Sequence, residues 1–242
     1  MLNKALLMAS GKKGTIGYFE FVASKAGSGV DFFGGSAPSS WVVSVNGAPT
    51  SQSASALTFS SGATVRIEYD ETPAALFSAE DKNYFKTIDG AIPVVESTSF
   101  SNCFYSCSAL TSVPEGLFAN NPDVTDFSSC LRNCSALTSV PEGLFANNPD
   151  VTDFSNCFRY CFALTSVPEG LFANNPNVKN FSYCFGYCDA LTVRVRISSA
   201  KVSSASYFAD NTKAKGTVYV PSGSKTASAF KASSANVTVV EE

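Results

Sequence analysis

The stretch "CSALTSVPEGLFANNPDVTDFS" spans Cys107–Ser128 and recurs letter for letter at Cys134–Ser155. A third copy, Cys161–Ser182, departs from it only at Phe162, Asn177, Lys179 and Asn180. Phe100, Phe127, Phe154 and Phe181 each open an F-S-x-C, and each lies 27 residues from the next. A period without drift implies one unit stacked on copies of itself, because a single unit cannot bury its apolar residues alone. Within a unit, Phe127, Cys130, Leu131 and Cys134 fall at i, i+3, i+4 and i+7, which predicts one face of a short helix. The residue before each F-S-x-C is Ser99, Asp126, Asp153 or Asn180, all of which suit a helix N-cap. Leu137 and Val140 then predict a brief strand closed by Pro141. Pro141 to Ala146 reads as a single helical turn with proline near its start. Asn147-Asn148-Pro149 ends it, since asparagine tolerates the left-handed conformation and proline forbids continuation.

The period lies within the roughly 20–29 residues of leucine-rich repeats. Over residues 99–192 the unit F-S-x-C-F-x-x-C-x-A-L-T-S-V-P-E-G-L-F-A-N-N-P-x-V-T-D resembles the BspA-like leucine-rich repeats of bacterial surface proteins and their phage-encoded relatives. Gly216–Glu242 is similar to the strand-and-cap segment that closes such arrays. Ser203–Asn211 reads as a degenerate repeat helix with Phe208 facing inward. The resemblance implies an adhesive or interaction protein without enzymatic activity. Ahead of the repeats, TIGYFEFVAS, SWVVSVNG, ALTFS and ATVRIEYD read as strands separated by turn residues, a layout that weakly resembles immunoglobulin-like or PKD-like modules. Trp41 is expected in the core of that part.

The expected fold is therefore α+β: an N-terminal β-sandwich-like domain followed by a short leucine-rich-repeat solenoid, with one short helix and one short strand per 27-residue repeat and a C-terminal cap. The expected divisions are a docking segment (1–13), the sandwich-like domain (14–75), a connector and N-terminal cap (76–98), four repeats (99–192), and a degenerate repeat with cap (193–242). In the connector, Ala91-Ile-Pro-Val-Val is expected to supply a capping strand.

Composition narrows the function classes. Hydrophobic residues make up 45% of the 242, enough for a sizeable core, whereas charged residues are only 15%. A net charge of −3 without a long basic run argues against nucleic acid as the main partner. Histidine is absent, which removes the commonest general base and metal ligand. No Ser-His or Cys-His arrangement exists, and no glycine-rich phosphate loop follows a strand. No apolar run approaches the roughly 20 residues of a membrane span. The start, MLNKALLMASGKKG, is too short in its apolar part for a signal peptide. Its Leu2, Leu6, Leu7 and Met8 are candidate docking residues instead.

The eight cysteines form four C-x-x-x-C pairs: Cys103/Cys107, Cys130/Cys134, Cys157/Cys161 and Cys184/Cys188. Zinc would need a better match to metal spacings. Disulfides between stacked copies would need favourable Cβ directions. The favoured reading is free cysteine acting as a small hydrophobe in a tight ladder. Glu115, Glu142 and Glu169 should stack, as should Asp123 and Asp150. Solvated positions are favoured over a calcium-bridged edge. No catalytic residue, cofactor site or metal site is expected.

The positions that vary between copies carry the functional expectation. Asn102/Ser129/Asn156/Tyr183, Tyr105/Arg132/Arg159/Gly186 and Ser106/Asn133/Tyr160/Tyr187 fall on the outer side of the repeats, with Ser108/Ser135/Phe162/Asp189 following. Such positions either are unconstrained because they face water or form a binding surface on a rigid scaffold. In the second reading Tyr105, Arg132, Asn133, Arg159, Tyr160, Tyr183 and Tyr187 face a protein or glycan partner. The expected protein is a non-enzymatic phage virion component (fibre, tail or capsid surface) folded in the host cytoplasm and present in multiple copies or as a homo-oligomer. Other virion proteins would be held through the N-terminal region. The alternatives are a bacterial cell-surface adhesin and a cytoplasmic interaction scaffold.

Overall fold

A computed structural model describes residues 17–30, 41–52, 57–69, 84–92, 94–95, 97–210, 212, 216–233 and 236–242. The N-terminal part holds strands β1 (Gly17–Ala23), β2 (Gly27–Val30), β3 (Trp41–Val45), β4 (Ala48–Thr50), β5 (Leu57–Phe59), β6 (Thr64–Tyr69) and β7 (Phe85–Asp89). Five of these make an antiparallel sheet in the order β4-β3-β6-β1-β7, and β2 pairs with β5. Period-two alternation drives the pairing: Phe19, Phe21 and Ala23 of β1 are buried with Val65 and Ile67 of β6, while Tyr18 is exposed. Asn46 and Gly47, at φ of 52° and 77°, form the tight turn between β3 and β4. Phe59 of the smaller sheet meets Phe21 edge-on at 5.8 Å. Trp41 opens β3, but its side chain lies outside what is described. Leu2, Leu6, Leu7 and Met8 also lie outside the described residues.

The repeats join this sheet at β7. Thr87 bridges Ser112 in parallel, and the Thr111 amide donates to the Lys86 carbonyl at 3.0 Å. Ile92 is buried, and its amide donates to the Leu117 carbonyl at 2.6 Å, but residues 91–95 supply no strand among those described. Further along, the amides of Thr138, Thr165 and Thr192 donate to the carbonyls of Thr111, Thr138 and Thr165 at 3.3–3.4 Å. The chain ends in a parallel sheet of β8 (Arg194–Arg196), β9 (Gly216–Val220) and β10 (Val237–Glu241), with helix α1 (Lys225–Ser233) crossing between the last two.

The leucine-rich-repeat solenoid with a helix and a strand in each repeat is not what forms. Among the described residues, regular structure is mostly strand in three small sheets, and the one α-helix, α1, lies outside the repeats. Residues 99–192 contain no α-helix and no strand, only turns, isolated parallel bridges such as Asp126–Asp153 and Asp153–Asn180, and a single 3-10 turn at Glu142–Phe145. The reason is local. Asn102, Ser106, Ser129, Asn133, Asn156, Tyr160, Tyr183 and Tyr187 all have φ between 56° and 64°, which no α-helix accommodates. Each F-S-x-C-x-x-x-C is two successive four-residue turns with a left-handed third residue, as in type II turns. The amides of Cys130, Arg132 and Cys134 donate three residues back. Those of Phe127, Ser129, Leu131 and Asn133 instead donate to Asp153, Ser155, Cys157 and Arg159 of the next copy at 2.7–2.9 Å. Backbone groups that a helix would pair internally are thus paired with the neighbouring copy.

The capping residues act as their chemistry requires, though no helix follows. The side-chain oxygens of Asp126, Asp153 and Asn180 accept from the amides of Ser128, Ser155 and Ser182 at 2.8, 2.6 and 3.0 Å. Ser99 Oγ accepts from Ser101 at 3.2 Å. Ser203–Asp210 repeats the pattern without cysteine: Phe181, Tyr183, Phe185 and Tyr187 donate to Ser204, Ser206, Phe208 and Asp210, and Phe208 is buried.

The core between the copies is aromatic. Phe127, Phe154 and Phe181 stack at 5.8 and 5.7 Å, and Phe118, Phe145 and Phe172 form a second row at 5.7 and 6.1 Å. The rows interlock, with Phe154 4.7 Å from Phe145 and 4.9 Å from Phe172. Asn148 and Asn175 are buried and hold the copies together through their side chains. Asn148 Nδ2 donates to the carbonyls of Phe118 and Asn121 at 3.3 and 2.8 Å. Asn175 repeats this on Phe145 and Asn148 at 3.1 and 2.9 Å.

Candidate functional site

All eight cysteines are free and buried. The Cys134, Cys161 and Cys188 thiols donate to the carbonyls of Phe104, Leu131 and Phe158 at 3.0–3.2 Å. Loss of solvent pushes the thiols of Cys130, Cys157, Cys161 and Cys184 well up, and that of Cys188 up to about 12. A thiol held protonated in the core is a poor nucleophile and a poor metal ligand. Among the described residues, no group of three or more His, Cys, Asp or Glu is placed to hold a metal ion. The expected measurement follows. At pH 8 a thiol-reactive dye should label essentially none of the native protein's cysteines and all eight after unfolding without reductant. Native labelling, or fewer than eight groups on unfolding, would contradict the ladder.

The carboxylates are managed singly. The Glu115 side chain lies across Gly143, where a Cβ would stand 2.6 Å from its Oε1, and Glu142 lies across Gly170 in the same way. This explains the glycine after Glu142 and after Glu169, where a larger residue would strike the glutamate of the preceding copy; Gly116, in the first copy, meets no glutamate and instead has a φ of 65°. At the end of the row Arg194 and Arg196 donate to Glu169 at 2.8 and 2.9 Å and hold its carboxyl below the usual range. Asp123 and Asp150 are exposed.

The varying positions converge on one face. Arg132 lies 5.6 Å from the ring centres of both Tyr105 and Tyr160. Arg159 lies 4.8, 4.4 and 5.2 Å from Tyr160, Tyr183 and Tyr187. Its terminal nitrogens donate to Asn156 Oδ1 and the Tyr160 hydroxyl, both at 3.1 Å. Tyr160 stacks on Tyr187 at 4.9 Å, and Asn133 Nδ2 donates to Ser106 Oγ at 3.1 Å. All seven candidate surface residues therefore belong to one band, with Asn133 at its border. Two further members join it, of which Asn156 is among the varying positions and only Tyr207 is not named from the sequence. Tyr207, 53% exposed, stacks on Tyr183 at 4.8 Å, and Asn156 anchors Arg159. Aligning SSASYFADN with FSYCFGYC would have found Tyr207.

The backbone beneath this band is unusual. Tyr160, Tyr183, Tyr187 and Tyr207 have φ of 64°, 56°, 60° and 55°. Left-handed backbone costs an ordinary side chain roughly 1–2 kcal/mol, and asparagine less. An aromatic pair returns about 0.5–1.5 kcal/mol beyond its burial. Stacking at best offsets the strain, so stability alone gives no reason to replace the Asn and Ser of the earlier copies by tyrosine. Strained residues cluster where a surface is used. The chain matches no protein-family model, no curated protein and no solved structure.

Proposed function

We propose that this protein is a non-enzymatic attachment module whose aromatic and arginine band contacts a host surface protein or glycan. The observation that carries the reading is the placement of four tyrosines at left-handed backbone positions on one face, half-buried at Tyr160, Tyr183 and Tyr187 and exposed at Tyr207, interleaved with arginine. Tyrosine and arginine are the side chains that dominate binding energy at interfaces. The copies beneath supply rigidity, because each is tied to the next through backbone hydrogen bonds. In this proposal the chain is carried in several copies on a phage virion and docks through the N-terminal region that includes Leu2, Leu6, Leu7 and Met8. That setting rests on the sequence resemblance.

The test exploits the sibling copies, which carry asparagine at equivalent positions. The triple variant Tyr160→Asn, Tyr183→Asn, Tyr187→Asn should keep its stability within about 2 kcal/mol. Its attachment, measured as binding of labelled protein to a panel of bacterial cells, should fall by more than about tenfold. Attachment equal to that of the unaltered protein would remove the band from the function.

A further inference from the structure

We infer that the ligand of this band is a carboxylate-bearing glycan, an inference that rests on the attachment reading above. The chain has five arginines. Arg66 is paired with Glu20 and Glu68, Arg194 with Glu169, and Arg196 with Glu169 and Glu242. Arg132 and Arg159, the two on the band, have no carboxylate partner among the described residues. A protein of net charge −3 thus neutralises every other arginine and leaves these two charged on one face.

Their surroundings select the kind of anion. The Arg132 guanidinium lies between two tyrosine rings, and its buried Nε has no hydrogen-bond partner among the described residues. Arg159 is fixed by Asn156 and the Tyr160 hydroxyl. With the Nε atoms of Arg132 and Arg159 buried, the terminal nitrogens of each supply the planar fork that matches a carboxylate at two points, which an ammonium does not. Tyrosine offers adjacent apolar rims and hydroxyls, suited to the mixed faces of a sugar. Equivalent positions recur from copy to copy, with Tyr160 and Tyr187 4.9 Å apart, so the band presents a row rather than a pocket. A chain of repeating acidic sugars meets such a row. Single-stranded nucleic acid is also anionic and binds aromatic platforms, but it needs open ring faces. Here Tyr160 is stacked on Tyr187 and Tyr183 on Tyr207.

The experiment uses the full chain and four probes: sodium polygalacturonate, hyaluronate, the carboxyl-reduced form of the polygalacturonate, and poly(dT). Expected is saltable binding to at least one acidic polymer that weakens about tenfold or more in the double variant Arg132→Gln, Arg159→Gln, the loss of one charge-assisted contact or more. The reduced polymer should bind no better than the double variant does. The Arg132→Lys, Arg159→Lys protein keeps the charge and should recover only part of the affinity, which separates geometry from charge. Unchanged thermal unfolding of each variant shows that the fold is intact. Equal binding of the acidic and reduced polymers, binding to neither acidic polymer, or preference for poly(dT) would each overturn the inference. If the tyrosine variant still loses attachment to cells in those cases, the attachment reading stands and only the ligand class falls. If it attaches normally, that reading fails as well.

Discussion

Asn148→Asp is expected to cost the protein a large part of its stability at neutral pH and much less in acid. Asn148 has no solvent exposure, and its Nδ2 donates to the Phe118 and Asn121 carbonyls. Replacing that amide by a carboxylate removes both donations and sets a negative charge against two carbonyl oxygens. An unpaired buried charge costs about 3–5 kcal/mol, a large part of the roughly 5–15 kcal/mol that holds a domain together. Protonation relieves it, because the neutral acid keeps one O–H donor. Burial and the facing carbonyls therefore raise the folded-state pKa of the new carboxyl above its unfolded value. A raised carboxyl contributes most below the unfolded pKa and loses that contribution as pH rises through the folded one. Urea unfolding at pH 4 and pH 7 should show the variant losing much more stability at the higher pH. Asn148→Ala leaves the same carbonyls unpaired without adding charge, so its penalty, about 1–3 kcal/mol per group, should be nearly independent of pH. Equal losses for the aspartate variant at both pH values would mean that residue 148 is not enclosed.

The asparagine also shows what a sequence conceals. Asn147-Asn148-Pro149 reads as a turn terminus, and local chemistry alone gives no sign that Asn148 reaches carbonyls 27 and 30 residues earlier. The helix expectation failed for a related reason. Spacing at i, i+3, i+4 and i+7 belongs equally to one helix face and to two successive four-residue turns, both of which bury Phe127, Cys130, Leu131 and Cys134. The discriminating signal was the third residue of each turn. Asn102, Ser106, Ser129, Asn133 and Asn156 include residue types that tolerate left-handed backbone, whereas Tyr160, Tyr183 and Tyr187 do not advertise it. Amides donated to the next copy are non-local and leave no periodicity of their own. By contrast, the 27-residue offset, the buried cysteines and the capping oxygens were legible, because each depends on residue type at a fixed spacing. The arginine band was legible from contrast: identical copies make the few varying residues conspicuous.

Phe154→Ala should be among the most destabilising apolar truncations in the repeats, and the reason lies in its position along the row. Its ring lies between Phe127 and Phe181 at 5.8 and 5.7 Å and touches Phe145 and Phe172 of the second row. Truncation opens a cavity whose walls are rings already stacked on further rings, so little can collapse into it. The expected loss is about 3–5 kcal/mol, the usual range for a buried phenylalanine. Phe100 is the natural comparison. It is 5% exposed, opens the first unit, and has ring contacts to Phe118 and Phe127. In a stack stabilised by neighbour contacts, an end position loses fewer of them, so Phe100→Ala should cost clearly less than Phe154→Ala. Urea denaturation of both variants measures the difference. A common slope with separate midpoints would mean that the unit still unfolds as one body. Equal midpoints for the two variants would show that contacts across the copies contribute little, and that each copy is held by its own turns.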